Sequence, residues 1–354
     1  MLPVKDTLLG KTRDELTQLS IDIGLPTYTG GQLAYWLYKT DIDSFDQMTN
    51  ISKKTRALLS EHFELGINPP VSVKESVDGT KKYLFNAGKG KFIEAAYIPD
   101  GKRHTLCVSS QVGCKMGCLF CMTGKQGFQG QLNPGEILNQ LRSIAERSKI
   151  TNIVYMGMGE PFDNLESVMK STSILTAEYG FAISVRKVTV STIGIIPAMK
   201  VFLENSKCNL AVSLHTPFDD ERHKLMPIQN VYPIKDVVET ITRYDIGKYR
   251  RVSIEYIMFK GVNDTRRHVN ELARLLNKVN CRINLIRFHS IPGTPLESSS
   301  EEAIIDFQQA LNAKGIVTTL RASRGQDIEA ACGLLSTKEL VKQQKDISEN
   351  IISE

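Results

Sequence analysis

The chain has 354 residues, 23% of them charged, with 44 Lys and Arg against 39 Asp and Glu for a net charge of +5. That length predicts one large domain with a smaller appendage, and the mild basic excess allows a nucleic-acid partner without demanding one. No apolar run approaches the roughly 18 residues of a membrane span, no secretory pattern follows Met1-Leu2-Pro3-Val4-Lys5, and seven cysteines, three of them clustered, do not read as a secreted disulfide scaffold. The expectation is a cytoplasmic protein with no membrane association.

Residues 1–70 read as a helical accessory domain. Residues 12–23 carry apolar side chains at Leu16, Leu19, Ile21 and Ile23, and Gly24-Leu25-Pro26 stops them; Gly30-Gly31 opens a second helix over 32–39, and Ser52 caps a third over 52–63. Lys53, Lys54 and Arg56 fit a solvated face of a packing module or an RNA contact. Over 71–104 the pattern changes to a small β extension, with strands at 71–77, 82–86, 92–98 and 105–108 and turns at Asp78-Gly79, Asn86-Ala87-Gly88 and Pro99-Asp100-Gly101. Within it the alternation of 92–97 makes Glu94 read as a solvent-facing strand residue.

From 105 to 335 strands and helices alternate. Strands are predicted at 153–156, 188–191, 210–214, 252–259, 283–288 and 317–320, with helices near 134–147, 164–178, 195–204, 233–246, 264–278 and 300–313. Repeated β-then-α units imply a parallel sheet with helices outside, and six or seven such units fit a partial (β/α) barrel, an α/β fold whose ligands gather at the carboxyl ends of the strands. Residues 336–354 form a C-terminal helix or tail.

The chemistry centres on Cys114, Cys118 and Cys121, three thiols within eight residues, followed by Gly124 and Gly127. Three thiolates are one short of a closed four-ligand zinc or iron–sulfur site and suit a four-iron cluster with one iron left open. A zinc site borrowing a distant ligand and unrelated buried thiols are the plainer alternatives. This spacing is the signature of radical S-adenosylmethionine (SAM) enzymes.

The later strand ends are polar. The strand at 153–156 runs into Gly157-Met158-Gly159-Glu160-Pro161, in which the glycines would let a ligand approach the backbone and Glu160 offers a carboxylate to an ammonium group. Ser191-Thr192, Ser213-Leu214-His215 and His289-Ser290 end other strands. Each alone is an ordinary cap or turn; their recurrence at equivalent positions points to a site. Cys107 ends the strand entering the cysteine loop, and Cys332 lies in Ala330-Ala331-Cys332-Gly333; both are buried hydrophobes, as Cys208 and Cys281 are, or thiols that act as nucleophiles or redox partners.

Together these residues resemble the RlmN/Cfr family of radical-SAM RNA methyltransferases. The likeness runs from the helical block to Gly333-Leu334, through the cysteine loop with Cys107 seven positions upstream, the 157–164 motif, Ser191-Thr192, 213–215, and the run from Arg324 to Gly333. It implies one [4Fe-4S] cluster on Cys114, Cys118 and Cys121, two SAM molecules per turnover, and SAM contacts from Gly159, Glu160, Ser191, Ser213, Leu214, His215 and His289. His289-Ser290 departs from the Asn-Pro expected of the family there. The resemblance further implies that Cys332 accepts a methyl group, that a radical formed on it adds to carbon 2 of an adenine, that Glu94 removes the base proton, and that Cys107 releases product through a transient disulfide. The implied partners are 23S rRNA, tRNA and a flavodoxin or ferredoxin electron donor, with the protein a monomer. Methylation of carbon 8, a radical-SAM reaction on a non-RNA substrate, and a non-catalytic RNA-binding protein with a structural metal are the other readings.

Overall fold

Short apolar runs rich in Val and Ile build the centre of the molecule, because they are too brief for helices and bury both faces. The computed structural model describes residues 5–246, 250–330 and 334–335. One ten-stranded sheet holds β1 (Ser72–Glu75), β2 (Lys81–Asn86), β3 (Phe92–Asp100), β4 (Arg103–Cys107), β5 (Asn152–Tyr155), β6 (Val188–Thr192), β7 (Asn209–Ser213), β8 (Val252–Met258), β9 (Cys281–Arg287) and β10 (Thr318–Leu320), and its spatial order is its chain order. The ladders from β4 to β10 are parallel, and those joining β1 to β4 are antiparallel. The small sheet expected ahead of the cysteine loop is therefore one end of the main sheet.

Helices α1 (Arg13–Asp22), α2 (Tyr28–Lys39) and α3 (Lys53–His62) precede the sheet; α4 (Met122–Gln126) and α5 (Pro134–Arg142) follow β4. Then α6 (Leu165–Thr176), α7 (Ile196–Asn205), α8 (Asp219–Leu225), α9 (Ile234–Thr242), α10 (Arg266–Leu276) and α11 (Glu301–Ala313) alternate with the remaining strands. Residues from each of the seven parallel strands line one shared cavity, so the sheet curves into a barrel, and β10 stays unpaired with β4, so the barrel is open. Among the described residues no helix is long and apolar enough to cross a membrane.

Gly30 and Gly31 lie inside α2 and do not open it. A Cβ on Gly30 would stand 2.4 Å from Cα of Thr17 on α1, so this glycine serves close helix packing and overrides its weak helix propensity. The N-terminal block is not purely helical, since Asp6–Thr7 and Phe63–Glu64 form a short parallel ladder. Nor does it stand apart: Leu8, Leu33 and Leu37 belong to the same buried cluster as barrel residues Leu106 and Ile153. Arg142 of α5 donates to the carbonyls of Leu37 and Ile42 at 2.9 and 3.1 Å, and Lys170 of α6 pairs with Glu15.

The tightest join is backbone on backbone. Gly10 has φ +92°, and a Cβ there would fall 2.3 Å from the amide nitrogen of Gly135; one on Gly135 would fall 2.4 Å from the carbonyl oxygen of Leu9. Gly10→Ala should therefore destabilise the protein by about 2–4 kcal/mol, combining left-handed strain with a clash that no side chain can relieve. Thermal unfolding of the purified variant measures this, and a melting temperature equal to wild type would refute the packing account.

Candidate active site at the carboxyl ends of the strands

The cysteine loop is closed by its own backbone. Gln111–Val112 pairs antiparallel with Gly130–Gln131, and Gly113, at φ +71°, passes so near the carbonyl of Gly127 that a Cβ would overlap its oxygen. Cys114 and Cys118 are buried and Cys121 is half-buried at the start of α4. Burial pushes the Cys114 thiol up to about 12 and Cys118 well above its ordinary value, so both stay protonated at neutral pH until a positive centre draws the proton off. All three cysteines line one cavity of about 150 Å³. Three thiols on one cavity are one short of a closed four-ligand site, so the donor set fits a four-iron cluster with one iron left open.

The same cavity is walled by Gly159, Glu160, Ser191, Thr192, Ser213 and His215. Glu160 is buried, and its carboxylate accepts from Thr192 Oγ1 at 2.6 Å, the Ile193 amide at 3.0 Å and the Phe162 amide at 3.1 Å. A carboxylate offers about four acceptor positions, which leaves one for an incoming ammonium. Burial raises its pKa to about 7 against those hydrogen bonds. His215 is buried at φ +60°, and its Nδ1 accepts from the Ile257 amide at 3.0 Å, leaving the proton on Nε2. Burial, with Arg222 nearby, lowers its pKa to about 3, so it is a neutral donor.

Two glycines let the chain pack on itself beside the cavity. A Cβ on Gly157 would lie 2.7 Å from Ser109 Oγ, and one on Gly159 2.5 Å from Cβ of Gln111, while both residues also line the cavity. Leu214 is not among the lining residues: its side chain is wholly buried in the core, one residue out of phase with Ser213 and His215.

A second cavity, about 130 Å³, adjoins the first and shares Cys121, Met156, Gly157, Ile286 and Arg321 with it. Cys107 lines it, and so does His289, which thus sits beside Cys107 and outside the pocket of Glu160. Cys332 lies outside the described residues; Ala330 and Leu335 on either side of it line this second cavity. Glu94 is not solvent-facing. It is buried, paired with Lys82 at 3.3 Å, and shares a strand face with Ala96, the neighbour of Cys107 across the β3–β4 ladder. Lys82 also reaches the carbonyl of Glu329 at 3.4 Å.

Comparison with known proteins identifies the chemistry. Residues 108–276 match the radical SAM superfamily, and residues 7–65 match the N-terminal domain of ribosomal RNA large subunit methyltransferases. A Probable dual-specificity RNA methyltransferase RlmN of Parabacteroides distasonis is 53% identical over 94% of this chain and 97% of its own length. The chain belongs to the RlmN family. The Dual-specificity RNA methyltransferase RlmN of Desulfotalea psychrophila is 41% identical over 96% of this chain and 97% of its own. A crystal structure of a radical SAM methyltransferase from Sphaerobacter thermophilus superposes with a TM-score of 0.88 at 40% identity, covering 93% of this chain and 99% of that one. The family's cofactors are one [4Fe-4S] cluster and SAM.

Several residues that shape the RlmN-type site carry no motif. Arg222 is fully buried and donates to the carbonyls of Ile193 and Ser213 at 2.8 and 3.2 Å, bracing the ends of β6 and β7. Asn263 donates to the carbonyl of His215 at 2.6 Å, and Glu255 with Arg321 closes the cavity floor at 3.3 Å. Nothing in the sequence marks them, since Arg222 stands in the charged run 219–224 and Asn263 beside Asp264.

SAM affinity should weaken about tenfold per pH unit below pH 7, because binding the ammonium then requires Glu160 to lose a proton, and stop rising above pH 7 until the free ammonium itself titrates at about pH 8; His215 is neutral across that range. Glu160→Gln should raise the Kd by one to two orders of magnitude, about 1.5–3 kcal/mol, and abolish the pH dependence below pH 7. Calorimetric titration of the anaerobic, cluster-loaded protein checks both, and an unchanged pH profile in Glu160→Gln would assign the ammonium elsewhere.

Proposed function

We propose that this chain methylates carbon 2 of an adenosine in the peptidyl-transferase centre of 23S rRNA and of the adenosine beside the tRNA anticodon. The observation that carries the reading is the adjacency of the two cavities: the one lined by Cys114, Cys118 and Cys121 opens on Cys121 into the one lined by Cys107 and by the described flanks of Cys332. Ordinary methyl transfer needs a nucleophilic acceptor, and carbon 2 of adenine is not one, so the methyl group has to be staged on the protein first.

In this reading Cys114, Cys118 and Cys121 hold the cluster, while Glu160, Ser191, Ser213 and His215 hold SAM. Bound there, the cluster and SAM would supply one-electron hydrogen-abstracting chemistry, and Cys332 would carry the methyl group that gives up the hydrogen. Glu94, paired with Lys82, is the base that takes the proton from carbon 2 once the methylene group has joined the ring. Once the adduct has returned its odd electron to the one-electron centre that the cluster would provide, the Cys107 thiolate attacks the sulfur of Cys332: the disulfide forms, the sulfur–methylene bond breaks with its electron pair on carbon, and that carbon takes a proton as the methylated base leaves. His289, beside Cys107, faces the substrate base more than SAM. Target bases in RNA loops are reachable by such a pocket, since they unstack at modest cost. A flavodoxin or ferredoxin system delivers the electrons, and the enzyme works as a cytoplasmic monomer.

Two variants decide between this and inert thiols. Cys332→Ala should contain no S-methylcysteine and never link to RNA. Cys107→Ala should be methylated on Cys332 and accumulate a covalent RNA adduct that it cannot resolve. Intact mass and nuclease-digested peptide maps, after expression with native RNA, read both outcomes. RNA attached to the Cys332 variant, or turnover by the Cys107 variant, would sink the assignment.

A further inference from the structure

The amino-terminal ends of the same strands hold a different chemistry. A third cavity, about 390 Å³, adjoins the two site cavities and is lined mainly from the early residues of β4 to β9, with Thr319 to Ala322 and Arg324 at and after the end of β10. Six arginines reach it: Arg103, Arg186, Arg251, Arg282, Arg321 and Arg324. Alternation along the strands puts Arg251, Ser253 and Glu255 on the inner face of β8, with Arg282 and Asn284 on the inner face of β9, where Ser253 lies opposite Arg282. Only two carboxylates line the cavity, and both are matched: Glu255 by Arg321 at 3.3 Å and Asp100 by Arg324 at 3.2 Å. Among the described residues Arg103, Arg251 and Arg282 form no ion pair, and Arg103 has only Thr105 Oγ1, at 3.2 Å, to accept from its guanidinium.

Like charges gathered in a concave wall repel one another and focus a positive potential into the space between them. The Arg103 guanidinium registers this, its pKa lowered by burial first and then by Arg321, with Asp100 opposing and Arg251 and Arg282 adding to the lowering. A solvated outer face would disperse such charges; here Arg103 of β4, Arg282 of β9 and arginines flanking β6, β8 and β10 line one cavity. The volume lies within the usual range of a ligand pocket, and guanidinium forks match the oxygens of phosphate in pairs.

We propose that this cavity is an anion site for a phosphate group, with Arg103, Arg251 and Arg282 as its principal donors. Arg321 also lines both site cavities, so an anion bound here touches the floor of the reaction chamber. The phosphate belongs to a bound RNA strand or to a free phosphate compound, and the two sources are separable. The inference is independent of the methyl-transfer reading.

The test is calorimetric titration of the cluster-loaded protein with inorganic pyrophosphate in phosphate-free buffer. Saturable binding to wild type is expected, weakened at least tenfold in Arg251→Gln/Arg282→Gln and unchanged in Arg243→Gln, whose side chain is exposed on the outer surface and paired with Glu239. Should the double variant not fold, Arg251→Gln and Arg282→Gln singly make the comparison. Filter binding of a 23S rRNA fragment forms the second arm. If pyrophosphate competes with the RNA and the variant flattens the salt dependence of binding, the site takes an RNA phosphate. If RNA binding is untouched while pyrophosphate binding is lost, it takes a free anion. No saturable pyrophosphate binding by wild type, or equal binding by the double variant, overturns the proposal.

Discussion

One buried amide, that of Gln111, ties the two halves of the chemistry together. Its oxygen accepts from the backbone of Glu160 at 2.8 Å, while its nitrogen donates to Gln131 and to Asp163, both at 2.8 Å. Gln111 belongs to the short strand that begins the cysteine loop, Gln131 to the strand that ends it, and Glu160 and Asp163 to the turn after β5. The same join is reinforced by Asn164, which donates to the carbonyls of Ser110 and Leu132 at 2.8 and 2.7 Å, and by the Lys115–Asp163 ion pair at 2.6 Å. Gly159, pressed against the side chain of the same Gln111, shows how little tolerance the join has. The spacing between metal ligands and carboxylate is thus set by residues that do no chemistry themselves.

Polar groups inside the barrel are handled in three ways. Where a neutral group serves, burial keeps it so, as at His215. Where a charge must persist, a partner stands beside it, as Lys82 does for Glu94 and Arg321 for Glu255. Arg222 takes a third course, spreading its guanidinium over carbonyls and one amide oxygen. Removing any single member leaves a buried charge or dipole unmatched, which is costlier than the bond itself. These groups therefore stand or fall together.

Much of this was legible in the residues. The seven parallel strands follow from apolar runs of β-branched residues alternating with amphipathic helices, and the cysteine spacing needs no structure to be noticed. The N-terminal strand pair escaped notice because two-residue ladders have no period. Gly30 and Gly31 read as a helix start because glycine is punctuation in a lone sequence, whereas close contact with α1 puts them inside a helix. Glu94 read as solvent-facing because strand alternation tells which residues share a face but not which face is inside; the pairing of β3 with β2 and β4 settles that. Leu214 read as a site residue for the same reason, sitting between two residues that do reach the cavity. Arg222, Asn263 and the inward arginines could not be singled out at all, since their meaning lies in what surrounds them.

The antiparallel end of the sheet has a role visible only in its turn. Asp78, between β1 and β2, accepts from the amide of Gly325 at 2.9 Å, and Ser76 donates to Asp327 at 2.6 Å. Against the effect of burial, hydrogen bonds from Thr80 and Gly325 hold the Asp78 carboxyl down at about 2, so it is ionised at any physiological pH. Gly325 fits only as glycine, for a Cβ would meet Thr80 on one side and Ala330 on the other. These contacts span about 250 residues of chain and close one of the longest loops the fold contains. A polypeptide emerging from synthesis in order has its cysteine loop and most of its barrel before residues 325–330 exist to be gripped. The last step of assembly is thus the docking of the chain's far end onto its early hairpin, which withholds a finished reaction chamber from any chain that is truncated or still being made.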